Sequence, residues 1–182
     1  MAPAPLLTRA FLLVVTVGLA VAPAARADAA VVAKPAAAGS RVSLLQDAGL
    51  LHAAQGRDEA ARKCWLKALN LLLRLQLQDA EGEFPEFVPT IDLLRGQLGD
   101  APLPLTTLAA LWRYHEGLGA FARAEDALFA LLESQPGNED LLVEARAFYQ
   151  RLLRLGDATL AEGNLPRAEV AAALAALPAA SR

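Results

Sequence analysis

The chain is poor in several residue types, and each scarcity excludes something. It has one cysteine, Cys64, so no internal disulfide can form. Beside Trp65, that thiol reads as a small core hydrophobe. No cysteine follows the N-terminal apolar run, which excludes lipid attachment at a lipoprotein-type site. Lys and Arg form no run, the formal charge is −3 and the isoelectric point is near 5.4, so nucleic acid is not an expected partner. No phosphate loop, Cys-x-x-Cys or Gly-x-Ser-x-Gly occurs, and Ser40, Ser43, Ser134 and Ser181 have no nucleophile setting. Aromatic residues make up only 5% of a chain that is 55% hydrophobic. The remainder is chiefly Leu and Ala, a mixture that favours helix over strand. At 182 residues the expectation is one domain with an appended segment.

That segment lies at the start. Arg9 precedes an apolar run over residues 11–22, shorter than the roughly 20 residues of a membrane-spanning helix. Pro23 breaks the run ahead of Ala25-Arg26-Ala27, a small-residue cleavage pattern, so residues 1–27 read as an export signal. Cleavage there removes Arg9 and Arg26 and takes the formal charge from −3 to −5. The product would be periplasmic or secreted; an uncleaved segment over residues 6–22 would instead make a membrane-tethered structural protein. Residues 28–40, broken by Pro35 and Gly39, read as a flexible Ala/Pro tether.

Two stretches of the remainder share one pattern. In residues 105–138, Leu105, Leu108, Leu111, Trp112 and His115 share a helical face, and Phe121, Ala124, Leu128, Leu131 and Leu132 share another. Gly117 and Gly119 lie between the two helices, and Pro136 closes the unit. In residues 42–75, Gly56, Ala61 and His52 match Gly119, Ala124 and His115 at a constant offset of 63. Gly49 and Trp65 also fall on the pattern. Both stretches resemble the tetratricopeptide repeat, a helix-turn-helix unit of about 34 residues. Trp112 departs from it, standing where the pattern has Gly or Ala; an indole there either opens the helix crossing or fills a gap left by a neighbour.

Between the copies, residues 76–104 form a degenerate middle unit with one amphipathic helix carrying Phe87, Ile91, Leu94 and Leu98, with Pro89 in its first turn. Residues 139–178 supply further helices, in which Gly156, Gly163, Ala168, Ala172 and Ala175 echo the second copy at an offset of 44. From about Leu105 to Leu177, in LWRYHEGLGAFARAEDALFALLE and FYQRLLRLGDATLAEGNLPRAEVAAALAAL, the chain resembles a bacterial family of short helical-repeat proteins with no assigned function. The family region begins near residue 41, and the resemblance supplies no catalytic residues. The expected fold is therefore all-α: antiparallel helix hairpins stacked as a short right-handed superhelix, about seven helices with a C-terminal capping helix.

Chemistry is thinly represented. His52 and His115 occupy equivalent repeat positions and read as half-buried packing residues rather than metal ligands. Asp58-Glu59, Glu125-Asp126 and Glu139-Asp140 read as acids at helix starts. No catalytic, cofactor or metal residues are expected. A hydrolase built from His115, Glu116 and the loop carboxylates Glu81 and Glu83 is the enzymatic alternative.

The leading expectation is an exported, non-catalytic adaptor or assembly factor that binds a protein or peptide in a repeat groove. By the repeat pattern that groove takes Gln46, Asp47, Leu50 and Ala54 from the first copy. Thr106, Ala109, Ala110, Arg113 and Glu116 are the equivalents in the second, with Arg113 and Glu116 fixing orientation. Ala109 and Ala110 packed under the middle helix is the competing expectation. Two complete repeats are fewer than the roughly three of a self-sufficient stack, so the middle and C-terminal helices, or self-association, must cover the rest.

Overall fold

In the computed structural model, residues 35–78 and 84–178 are described. The structure is all-α, with eight helices among those residues: α1 (Pro35–Ala54), α2 (Asp58–Gln78), α3 (Ile91–Leu98), α4 (Leu105–Gly117), α5 (Phe121–Ser134), α6 (Glu139–Leu152), α7 (Asp157–Glu162) and α8 (Arg167–Ala176). The expected count of about seven is thus exceeded by one, because the short segment around Leu160 closes a helical turn of its own. The expected signal over residues 1–27 and the carboxylates Glu81 and Glu83 lie outside the described residues. No described helix is long and apolar enough to cross a membrane.

Helices α1 and α2 pack as one antiparallel hairpin and α4 and α5 as another, while α2 also packs on α3 and α4. The two hairpins turn in the same way. Gly56 N donates to Ala53 O (2.9 Å) and Arg57 N to His52 O (2.9 Å); Gly119 N donates to Glu116 O (3.1 Å) and Ala120 N to His115 O (2.9 Å). This pair of bonds closes a helix through one left-handed residue. Gly56 has φ 69° and Gly119 φ 73°, where a side chain would be strained. The offset of 63 read from the residue types is therefore also the offset of the turn hydrogen bonds.

The C-terminal echo has a different register. There the left-handed residue is Asn164 (φ 56°), with Asn164 N donating to Ala161 O and Leu165 N to Leu160 O, both at 3.0 Å. Asn164 rather than Gly163 is thus the counterpart of Gly119, and the offset is 45 rather than 44. Ala168, Ala172 and Ala175 are exposed, so they do not line a helix crossing as Ala124 does.

The expected tether also needs correction. Helix α1 starts at Pro35, so residues 35–40 belong to the first hairpin. Pro35 and Gly39 looked like breakers, yet a proline at the first helical position lacks only an N–H that would have no helical partner. Gly39 has a packing reason: a Cβ there would lie 2.6 Å from Val88 Cγ2. The loop before α3 docks at that point, with Ser43 Oγ donating to Phe87 O at 2.9 Å. Phe87 and Pro89 precede α3 instead of belonging to it. Thr90 is the N-cap, its Oγ1 accepting from Leu93 N at 3.1 Å, and the Phe87 side chain is exposed.

One continuous apolar cluster runs from Val42 of α1 to Val170 of α8. Ala61 and Ala124 are both buried, at the equivalent crossing of each hairpin. The indoles are exchanged between the helices of the two hairpins. In the first, Gly49 of α1 faces Trp65 of α2 so closely that a Cβ on Gly49 would lie 2.2 Å from Trp65 Nε1. In the second, the equivalents are Trp112 and Leu128. Trp112 is 6% exposed and meets Phe148 of α6 edge-on, with ring centroids 5.7 Å apart. The indole at the unusual position therefore joins the second hairpin to the C-terminal helices. Arg167 at the start of α8 holds the end of α6, donating to Leu153 O (2.7 Å) and Leu155 O (2.5 Å).

Candidate functional site

The repeat-face residues do not form one uniform groove. Asp47, Ala54, Thr106 and Arg113 are exposed, as is Leu50 at 46%; Gln46 and Glu116 are half-buried. Ala109 and Ala110 pack against the apolar cluster. Glu116 is already engaged: Arg151 of α6 donates to it through Nε (2.9 Å to Oε1) and Nη2 (3.0 Å to Oε2), a two-point ion pair between α4 and α6. Arg113 makes no ion pair among the described residues, so of the two expected orienting charges it alone remains open.

The largest apolar exposure lies on α1. Leu44, Ala48 and Leu51 fall at i, i+4 and i+7 of one face, and Leu44 is 68% and Leu51 59% exposed. Their counterparts in the second hairpin are Thr107, Leu111 and Tyr114. Thr107 is fully buried and donates to Asn70 Oδ1 of α2 at 2.9 Å, Leu111 is buried and Tyr114 is half-buried. What α2 does for α4, no described helix does for α1.

A second feature is polar. A cavity of about 270 Å³ opens between α3, α4 and α5, walled by Asp92 and Arg95, by His115, and by Arg123 and Asp126. Arg123 Nη1 lies 3.0 Å and 3.1 Å from the two Asp92 oxygens. His115 is 8% exposed, and its Nδ1 has no hydrogen-bond partner. Burial, helped by the Arg123 charge, pushes its pKa down, with Asp92 and Asp126 opposing. The imidazole therefore favours its neutral form. His115 and Glu116 serve different neighbours: the imidazole lines this cavity, while the carboxylate holds α6. Among the described residues no cluster of three or more His, Cys, Asp and Glu is arranged to hold a metal ion.

Glu125 and Asp126 sit in the second turn of α5 and do not cap its start. Glu125 instead accepts a hydrogen bond from Tyr149 Oη of α6 at 2.9 Å. Burial raises the Glu125 pKa and outweighs that bond; it also raises that of Tyr149. Asp58, Glu59, Glu139 and Asp140 do lie in first turns. Asp92, Arg95 and Arg123 carry no role in the sequence reading, and Asp126 carries only that of a helix-start acid. Their visible signal is opposite charges spaced i, i+3 on two separate helices.

Repeated hairpins with matching turns, an uncovered apolar end face and a C-terminal cap define an all-α helical-repeat protein. The chain belongs to a family of unknown function (DUF6483), whose sequence model matches residues 45–181. No curated protein and no solved structure matches the chain.

Proposed function

We propose that the protein is an exported, non-catalytic interaction module of the tetratricopeptide type, which buries an amphipathic helix of a partner protein on the outer face of α1. One observation carries this reading: Leu44 and Leu51 are exposed, whereas of their counterparts Thr107 is buried against α2 and Tyr114 is half-buried. Solenoid ends are ordinarily closed by a polar outer face. An apolar end face instead suits a helix lying on α1 as α2 lies on α4, with apolar anchors of its own at i, i+3 or i+4, and i+7. Asp47 and Leu50 flank this face and extend it toward the repeat groove. Residues 1–27 support delivery across a membrane, and mass measurement of the mature chain tests that part: loss of about 27 residues is expected.

The binding reading is tested by Leu44→Glu with Leu51→Glu. Both positions are exposed, so the melting temperature stays within the usual range for surface changes, about ±0.5 kcal/mol in stability. Crosslinking from the exported compartment captures a partner with the unaltered chain and not with the double variant. Equal capture by both would sink the reading, and a crosslink between two copies of this chain would replace the partner by a second protomer.

A further inference from the structure

Helices α3 and α5 border one cavity, and each carries two opposite charges about one turn apart. Asp92 of α3 and Arg123 of α5 close one rung as an ion pair at 3.0 Å. The other pair is open: among the described residues, neither the Arg95 nor the Asp126 side chain makes a hydrogen bond or an ion pair. The 270 Å³ cavity is lined by both. Arg95 Nη1 and His115 Nδ1 are buried without a hydrogen-bond partner, so Arg95 meets the cavity through the rest of its guanidinium. Leu108, Leu111, Ala127 and Ala130 supply apolar lining.

We propose that this cavity binds a free α-amino acid with a small apolar side chain, its carboxylate on Arg95, its ammonium on Asp126 and its side chain against Leu111 and Ala127. Charge balance favours a zwitterion over a simple anion. The four charged groups of the wall sum to zero, and a zwitterion meets both open side chains where a lone carboxylate meets Arg95 alone. Size agrees. Pockets for drug-sized ligands run from roughly 300 to 1,000 Å³, and this one falls just below. At about 30 Å³ for each water it holds about nine, the scale of one amino acid. The cavity lies on α3, α4 and α5, so the proposal is independent of the partner face on α1.

The test is a nuclear magnetic resonance titration of the full chain with three probes: L-valine, isovalerate, which lacks the ammonium, and isobutylamine, which lacks the carboxylate. The chain has two histidines, so His52→Gln assigns the imidazole signals. L-valine shifts the His115 signals saturably and leaves those of His52 in place, and each truncated probe binds at least about tenfold more weakly. Asp126→Asn, at an exposed position, removes the preference for valine over isovalerate, and Arg95→Gln removes that over isobutylamine. Equal affinity for the three probes overturns the proposal, as does a His115 signal that valine leaves unmoved at millimolar concentration. Should Arg95→Gln not fold, the three probes on the unaltered chain still decide it.

Discussion

The two hairpins, α1–α2 and α4–α5, are built alike where the chain acts on itself and unlike where it meets other elements. Both close through a left-handed glycine with the same two backbone bonds, and both bury an alanine at the crossing. They differ in where the indole stands. In the first hairpin Trp65 lies across Gly49, so the aromatic is used within the hairpin. In the second, Trp112 is turned outward onto Phe148, so it is used between the hairpin and α6. They differ again on the outer face of their first helices, uncovered on α1 and covered on α4. A duplicated local pattern thus yields one internal and one terminal unit, according to what packs beside each.

The sharpest way to break this comparison is to truncate each indole. Trp112→Ala removes a buried ring that joins two parts of the core and is expected to cost about 3–5 kcal/mol, with a fall in melting temperature on the order of 10 °C. Trp65→Ala, at a half-buried position, costs clearly less. Equal losses in thermal denaturation would show that the two rings do the same work. Next in size is the Gly49 contact. Gly49→Ala places a methyl against the Trp65 ring and destabilises by about 1–3 kcal/mol, whereas adding Trp65→Leu, which copies the residue at the equivalent Leu128, relieves most of the overlap. A double variant no more stable than Gly49→Ala would mean that the ring is not what the glycine makes room for.

The smallest effect concerns pH. The two histidines occupy equivalent positions, but His115 faces Asp92 and Arg95 from α3 and Arg123 and Asp126 from α5. Its pKa in the folded chain lies below the ordinary value of about 6.5, so below that pH the unfolded chain takes up the proton more readily. This contribution to stability is complete above pH 6.5 and declines as the pH falls through 6.5 toward the lower folded value. Glu125 acts in the opposite sense. Its raised pKa means that stability improves as the pH falls toward the ordinary carboxylate range, because the folded chain holds that proton more tightly. Melting curves between pH 7.5 and about 5.5 should therefore show a shallower decline for His115→Gln than for the unaltered chain. Parallel curves would remove His115 from the account.

Most of the fold was legible because it is encoded at short range. Helical periodicity, the glycine turns at 56 and 119 and the offset between copies are all properties of neighbouring residues. Misreadings arose where a residue's meaning depended on a distant partner. Gly39 reads as a breaker from its neighbours alone, and its packing reason is Val88 from a distant loop; the left-handed residue of the last turn is Asn164, not the commoner type Gly163 beside it. Glu125 reads as a helix-start acid, whereas its partner is the Tyr149 hydroxyl on the next helix. The polar cavity was illegible for the same reason: Asp92 with Arg95, and Arg123 with Asp126, each look like an ordinary solvated helix pair until the helices face one another.

By itself, then, the order of residues determined that this chain makes paired helices, where each pair reverses, and that one pair repeats another, since hydrogen bonds four residues apart and a single left-handed residue suffice for that. Only the tertiary structure decided which apolar face stays open and which charges are left unpaired. Burial and charge pairing are properties of two surfaces in contact, and the second surface comes from elsewhere in the chain.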